Sequence, residues 1–356
     1  MKKTLQGLLI SLATIVVFIL LAEGTFRILS LNKTFRFSYI TQKQRKVGLF
    51  MYDQNLGWKN RPGFSSSIQW PHRTTSETIN SHGWRDKDYG YQKPDGVYRI
   101  AVLGCSRTYG YGVNAEEMYT EQLEQMLNAS LEKEIEVLNC AVNGYGLSQM
   151  VINYFTFVKR YKPDLIILQF YPTSAGRTLY TEMWATQKPT FRLKEKELFL
   201  KNHPVPENRF RAFEYQLMDK SIFYRYIKNQ LLQLKQARKN KTFNRDHFKT
   251  NKQLIELCSE IFKLLKAETD ADATRLFVFV WGDDAAWLKN ICAQADVEVM
   301  NLYDMEDIAR WREKGETENP PPVGHWSALG HQFVATALYK YLKQNNVGGL
   351  FHEEKQ

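Results

Sequence analysis

Four short stretches of this sequence carry residues whose types and order could perform nucleophilic chemistry on a carbonyl. Ser106 follows the apolar run Tyr98-Arg-Ile-Ala-Val-Leu103 and Gly104. Groups just beyond the carboxyl end of a strand in a parallel sheet meet the free N–H groups of the following helix, so a serine there can act as a nucleophile beside oxyanion donors. Gly144 sits in Asn139-Cys-Ala-Val-Asn-Gly-Tyr-Gly146, where the lack of a side chain lets a substrate approach the backbone. A third loop, Tyr171-Pro-Thr-Ser-Ala-Gly176, offers Thr173. The fourth is Gly324-His-Trp-Ser-Ala-Leu-Gly-His331. Its His325 precedes the last helix and is free to reach across strand ends as a general base for Ser106. Each stretch alone has a plainer reading as a helix cap, a turn or a core histidine. Their occurrence together is what points to a site.

The elements that must position these loops are legible in the hydrophobic pattern. Strands are expected at 98–103, 135–139, 164–170, 275–281 and 297–302, each a short β-rich apolar run. Helices are expected at about 118–131, 148–161, 253–267, 285–293 and 327–343. Strand alternating with helix implies right-handed crossovers and a parallel sheet. The alternation breaks between about 176 and 246, where 191–200 suggests a hairpin and 222–235 a helix, and this stretch reads as an insertion near the active-site face. Ahead of the first strand, 31–96 reads as an irregular leader packing on a main domain at 97–346, with a short tail at 347–356.

Residues 4–22 are uncharged and rich in Leu, Ile and Val. At about 1.5 Å per residue they are long enough to cross the hydrocarbon core, so 1–30 is expected to be a cytoplasmic tip and an uncleaved transmembrane anchor. A cleavable signal peptide is the rival, but no small-x-small site follows the run. Flanking charges, Lys2 and Lys3 against Arg27, Lys33 and Arg36, leave the orientation open. The net charge of +10 is scattered, dense only from Lys235 to Arg245, which reads as a solvated helix end or loop. No nucleic-acid partner is inferred from it. Cys105, Cys140, Cys258 and Cys292 form no pattern of the kind a structural zinc site uses, so no metal site is expected. Their even number allows a disulfide, while their apolar neighbours favour buried free thiols.

The blocks also resemble a known family, the SGNH/GDSL hydrolases, and particularly bacterial members with an N-terminal membrane anchor. The likeness runs through 53–58 (DQNLGW), Arg61-Pro-Gly63 and 79–86 (INSHGWRD), then Gly104-Cys105-Ser106 in place of Gly-Asp-Ser and the following 108–113. It continues with Gly144 and ends with His325, Trp326, Gly330 and His331. The resemblance implies a flavodoxin-like three-layer α/β sandwich whose domain lies outside the cytoplasmic membrane. It also implies Ser106 as nucleophile, His325 as base, and an oxyanion hole from the N–H groups of Ser106 and Gly144. The expected chemistry is acyl ester hydrolysis on a carbohydrate or lipid ester, without metal or organic cofactor; an O-acetyltransferase acting on surface polysaccharide would use the same pair, and an inactive glycan-binding relative would keep only the cleft. Three positions depart from the pattern. Cys105 replaces Asp, Thr173 stands where an oxyanion Asn is usual, and Pro322 and Val323 occupy the two usual places of the triad acid. The Thr173 hydroxyl could substitute as donor, and a backbone carbonyl, Glu318 or Asp304 could orient His325; Cys105 itself is the remote alternative nucleophile.

Overall fold

The computed structural model describes residues 2–31, 48–70, 73–183, 186–207, 210, 213–214, 217, 220–239, 245–282, 285–305 and 324–351. The chain divides into two compact units, one formed by Met1–Phe50 with Glu207–Phe243 and the other by Met51–Pro206 with Asn244–Gln356.

The larger unit is built on a five-stranded sheet of β5 (Tyr98–Leu103), β6 (Ile135–Asn139), β7 (Leu165–Gln169), β12 (Arg275–Val280) and β13 (Glu298–Asn301). Their spatial order is β6-β5-β7-β12-β13, and every neighbouring pair is parallel. Counted along the chain this is order 2-1-3-4-5, the doubly wound arrangement whose binding crevice opens between the first and third strands. The middle strand β7 is buried at every residue, as a strand covered on both faces must be.

Among the helices, Tyr119–Ser130 packs against Ala328–Gln344, while Leu147–Thr156 packs against Lys252–Ala271 and the latter against Ala286–Ala293. Right-handed crossovers place the first pair on one face of the sheet and the other three on the opposite face. The helix expected at 148–161 ends earlier: Leu147–Thr156 is α-helical and Val158–Tyr161 continues as a tighter 3-10 turn. Lys162 then adopts a left-handed conformation, as helix ends commonly do, just ahead of Pro163.

The stretch read as irregular contains two antiparallel pairs, β1 (Phe50–Asp53) with β2 (Gly57–Asn60) and β3 (Ser65–Gln69) with β4 (Thr74–Thr78). Within 176–246, a short pair β8 (Glu182–Met183) and β9 (Thr186–Gln187) precedes the expected hairpin, β10 (Thr190–Lys194) against β11 (Glu197–Lys201).

The smaller unit contains the helix Lys2–Leu31 and the helix Ile222–Lys239. Thr4–Leu29 within the first is long and apolar enough to cross a membrane, a property that a signal sequence shares.

Candidate active site

Three loops leave the carboxyl ends of adjacent strands β6, β5 and β7, and they carry Gly144, Ser106 and Thr173 respectively. Ser106 lies one turn beyond β5, in a tight reversal closed by Tyr109 N–H to the Cys105 carbonyl at 2.8 Å and Tyr111 N–H to the Ser106 carbonyl at 3.0 Å. Gly104 is forced by packing: a Cβ there would stand 2.0 Å from Thr108 Oγ1. Thr108 is held in turn by donating to Gln169 Oε1 at 3.0 Å and by receiving the Tyr119 hydroxyl at 3.0 Å, so the floor of the loop is a buried polar network. Gly144 has φ +87°, a left-handed conformation that a side chain would strain. Thr173 is half-buried in the first turn of the short helix Pro172–Arg177.

His325 reaches this end of the sheet from far along the chain. Its Nε2 lies 2.8 Å from Ser106 Oγ, a hydrogen bond across 219 residues of sequence. Trp326, next in sequence, is buried with its ring edge-on to Trp281 and Tyr119. Ser327 caps the last helix by accepting from Gly330 N–H at 3.1 Å. His325 is thus fixed by a buried neighbour on one side and a helix start beyond it, with the Tyr111 ring 4.8 Å from its own.

The second histidine, His331, lies in the last helix and has a different role. His331 is buried, accepts the Tyr119 N–H on Nδ1 at 3.2 Å, and has its pKa lowered to about 3 by burial and by the nearby positive charges of Arg85 and Arg107. It is a neutral acceptor that ties the last helix to the helix Tyr119–Ser130.

Cys105 is a fully buried thiol whose S–H donates to the Tyr171 hydroxyl at 3.2 Å. Its sulfur lies 4.0 Å from Ser106 Oγ. All four cysteines are free and buried. Asp304, one of the acids considered for orienting His325, is turned instead to Lys289 Nζ at 2.8 Å and Asn301 Nδ2 at 3.0 Å. Glu318, Pro322 and Val323 lie outside the described residues.

Sequence reasoning missed the part played by the leader. The Trp58 indole donates to the Asn143 carbonyl at 3.0 Å, the Tyr145 hydroxyl donates to the Trp58 carbonyl at 2.7 Å, and Gln149 Nε2 donates to the Leu56 carbonyl at 2.9 Å. The loop carrying Gly144 is therefore clamped on both sides by one segment. Further on, Arg85 is buried and donates to the carbonyls of Tyr109, Gly110 and Val113 in the Ser106 loop, and to the Ser76 carbonyl in β4. Asp86 accepts the Asn139 N–H at 2.7 Å at the end of β6, and burial raises its pKa to about 7. The motifs around Trp58 and Arg85 were visible in the sequence, but nothing in their spacing told which loops they would hold.

No protein-family model matches the chain, and no curated protein matches it in sequence. Solved structures do resemble it. The psychrotrophic esterase EstA from Pseudoalteromonas sp. aligns over 70% of this chain and 98% of its own at 12% identity, with a TM-score of 0.39. A catalytic mutant of an acetylxylan esterase from Geobacillus stearothermophilus covers 68% of this chain and 93% of its own at 12% identity and a TM-score of 0.39. A two-domain esterase active on acetylated mannans covers 70% of this chain and 50% of its own at 11% identity and a TM-score of 0.40.

Proposed function

We propose that this protein is a serine-dependent acyl ester hydrolase of the cell envelope, anchored in the membrane by its first helix, with Ser106 as nucleophile and His325 as base. The observation that carries the reading is the 2.8 Å contact between Ser106 Oγ and His325 Nε2 at the mouth of a parallel sheet. A histidine brought from the last loop onto a serine after the first strand is the pairing that acyl transfer needs. The motif blocks that resemble SGNH/GDSL hydrolases support the same roles.

In this reaction the Ser106 oxygen attacks the ester carbonyl while His325 Nε2 takes its proton. The negative charge that develops on the carbonyl oxygen meets the N–H groups of Ser106 and Gly144, with the Thr173 hydroxyl as third donor. Collapse of the tetrahedral intermediate breaks the C–O bond, and the proton on His325 passes to the departing alcohol. Water then attacks the acyl-serine with His325 again as base, which releases the carboxylic acid and restores Ser106. The substrate class is a carbohydrate or lipid ester.

The test is hydrolysis of aryl acetate and of aryl esters of longer chain by the full-length protein in detergent, beside Ser106→Ala and His325→Ala. Turnover by wild type that falls to background in both variants is expected. Turnover retained by Ser106→Ala, or none by folded wild type, overturns the assignment.

A further inference from the structure

The helix Ile222–Lys239 belongs with the anchor. Glu23, the first charged residue after the uncharged run 4–22, accepts a hydrogen bond from Ser221 Oγ at 2.7 Å and from the backbone N–H groups of Ile222 at 3.2 Å and Phe223 at 3.0 Å. A carboxylate from one helix therefore caps the N-terminus of the other, where the free N–H groups and the helix dipole favour negative charge. The pin is reinforced by Phe26, whose ring lies 5.6 Å from Phe223 and 4.9 Å from Tyr226, and by Arg27, which donates to the Lys220 carbonyl at 2.8 Å.

The depth of this joint follows from the sequence. Residues 4–22 span about 28 Å as a helix, close to the roughly 30 Å thickness of a hydrocarbon core. Glu23 then falls at the boundary between acyl chains and headgroups, and the helix it caps starts at that level. Ile222–Lys239 contains five Lys or Arg residues (Arg225, Lys228, Lys235, Arg238 and Lys239) and no Asp or Glu. Ile227 and Leu231, one turn apart on one face, are exposed, as are Phe210 and Phe213 just ahead of the helix. Arg225 is buried and Lys228 pairs with Glu214, so the excess of cations in the sequence lies in the last turns, at Lys235, Arg238 and Lys239. Exposed apolar side chains combined with such an excess are the composition of a helix that lies in the interface of an anionic bilayer.

We infer that the helix Ile222–Lys239 is an interfacial platform, which lies along the bilayer beside the anchor and binds anionic lipid headgroups. The inference rests on the anchor reading of the first helix and not on the Ser106 chemistry.

The experiment uses the full chain reconstituted into vesicles of phosphatidylcholine alone or mixed with phosphatidylglycerol, carrying Leu231→Cys labelled with an environment-sensitive fluorophore. The four native thiols are buried, so the new one labels selectively. Quenching by nitroxide on the lipid acyl chain, protection from aqueous iodide, and a stronger effect in the anionic vesicles are expected. Replacing Lys235, Arg238 and Lys239 by Gln is expected to abolish the preference for anionic lipid, a loss of roughly tenfold or more in lipid contact. Iodide access without lipid quenching overturns the inference, as does shielding from both quenchers, which would signal a protein partner. Equal lipid quenching in both vesicle types overturns the headgroup selection. Resistance of the same vesicles to alkaline extraction is read in parallel: a chain that washes off refutes the anchor itself, whereas a chain that stays while Leu231 remains in water refutes only the platform.

Discussion

Trp58 and Tyr145 hold each other across the loop that carries Gly144, the indole donating to the carbonyl of Asn143 and the phenol donating to the carbonyl of Trp58. Both side chains are buried and their rings meet edge-on at 5.7 Å. The position of the Gly144 N–H therefore depends on a segment more than eighty residues upstream. Trp58→Phe and Tyr145→Phe each remove one hydrogen bond of about 1 kcal/mol or somewhat more and keep most of the ring volume. Each variant is expected to lower kcat on an aryl ester by roughly tenfold with little change in KM. The double variant should lose less than the product of the two, because one clamp is broken either way.

Arg85 makes the equivalent connection to the Ser106 loop, with four backbone carbonyls as its acceptors. A lysine carries the charge but not the planar fork, and cannot reach all four carbonyls with the same geometry. Arg85→Lys is expected to destabilise the larger unit by about 3 kcal/mol, which thermal unfolding would report as a Tm lower by roughly 6–12 °C. An unchanged Tm would show that the loop is held by other contacts.

Asp304 already has partners in Lys289 and Asn301, and its side chain is 57% exposed. Asp304→Asn is therefore expected to leave ester hydrolysis within about twofold of wild type, whereas removal of the carboxylate that orients a catalytic histidine can cost about ten-thousandfold. A large loss in this variant would reassign Asp304 to the site.

His331 sets an acid limit on stability. Its pKa is about 3 in the folded protein because burial, then the charges of Arg85, His325 and Arg107, oppose protonation, against an ordinary value of about 6.5 in the unfolded chain. Above about pH 6.5 both states are neutral and the stabilisation is complete. As the pH falls from about 6.5 towards 3, the unfolded state takes up a proton that the folded state refuses, and stability declines. Urea unfolding midpoints measured between pH 7 and 4 should fall more steeply for wild type than for His331→Gln, which starts lower because the Tyr119 N–H loses a well-placed acceptor.

The sheet was legible because its strands are short, apolar and bounded by turn residues. The expected run 98–103 matches β5, and 135–139 matches β6, residue for residue. Ser106 and His325 could be singled out from sequence because one follows a strand end and the other precedes a helix start, and because the blocks around them resemble those of the SGNH/GDSL hydrolases. Arg85 and Trp58 were legible only as motifs, since a hydrogen bond from a side chain to a distant carbonyl leaves no periodicity. The partition of residues 176–246 was equally hidden. Its hairpin belongs to the larger unit while Glu207–Phe243 groups with the first helix, where Glu23, Phe26 and Arg27 meet residues 220–226, and contacts between side chains so far apart in sequence leave no periodicity to read.

The most direct measurement is covalent labelling of the full-length protein in detergent with a fluorophosphonate, followed by mass spectrometry of the modified peptide, beside Ser106→Ala, His325→Ala and Cys105→Ala. Wild type and Cys105→Ala are expected to carry the adduct on Ser106, and Ser106→Ala and His325→Ala to carry none. Folded wild type that stays unlabelled, or an adduct that persists in Ser106→Ala, would contradict an activated Ser106.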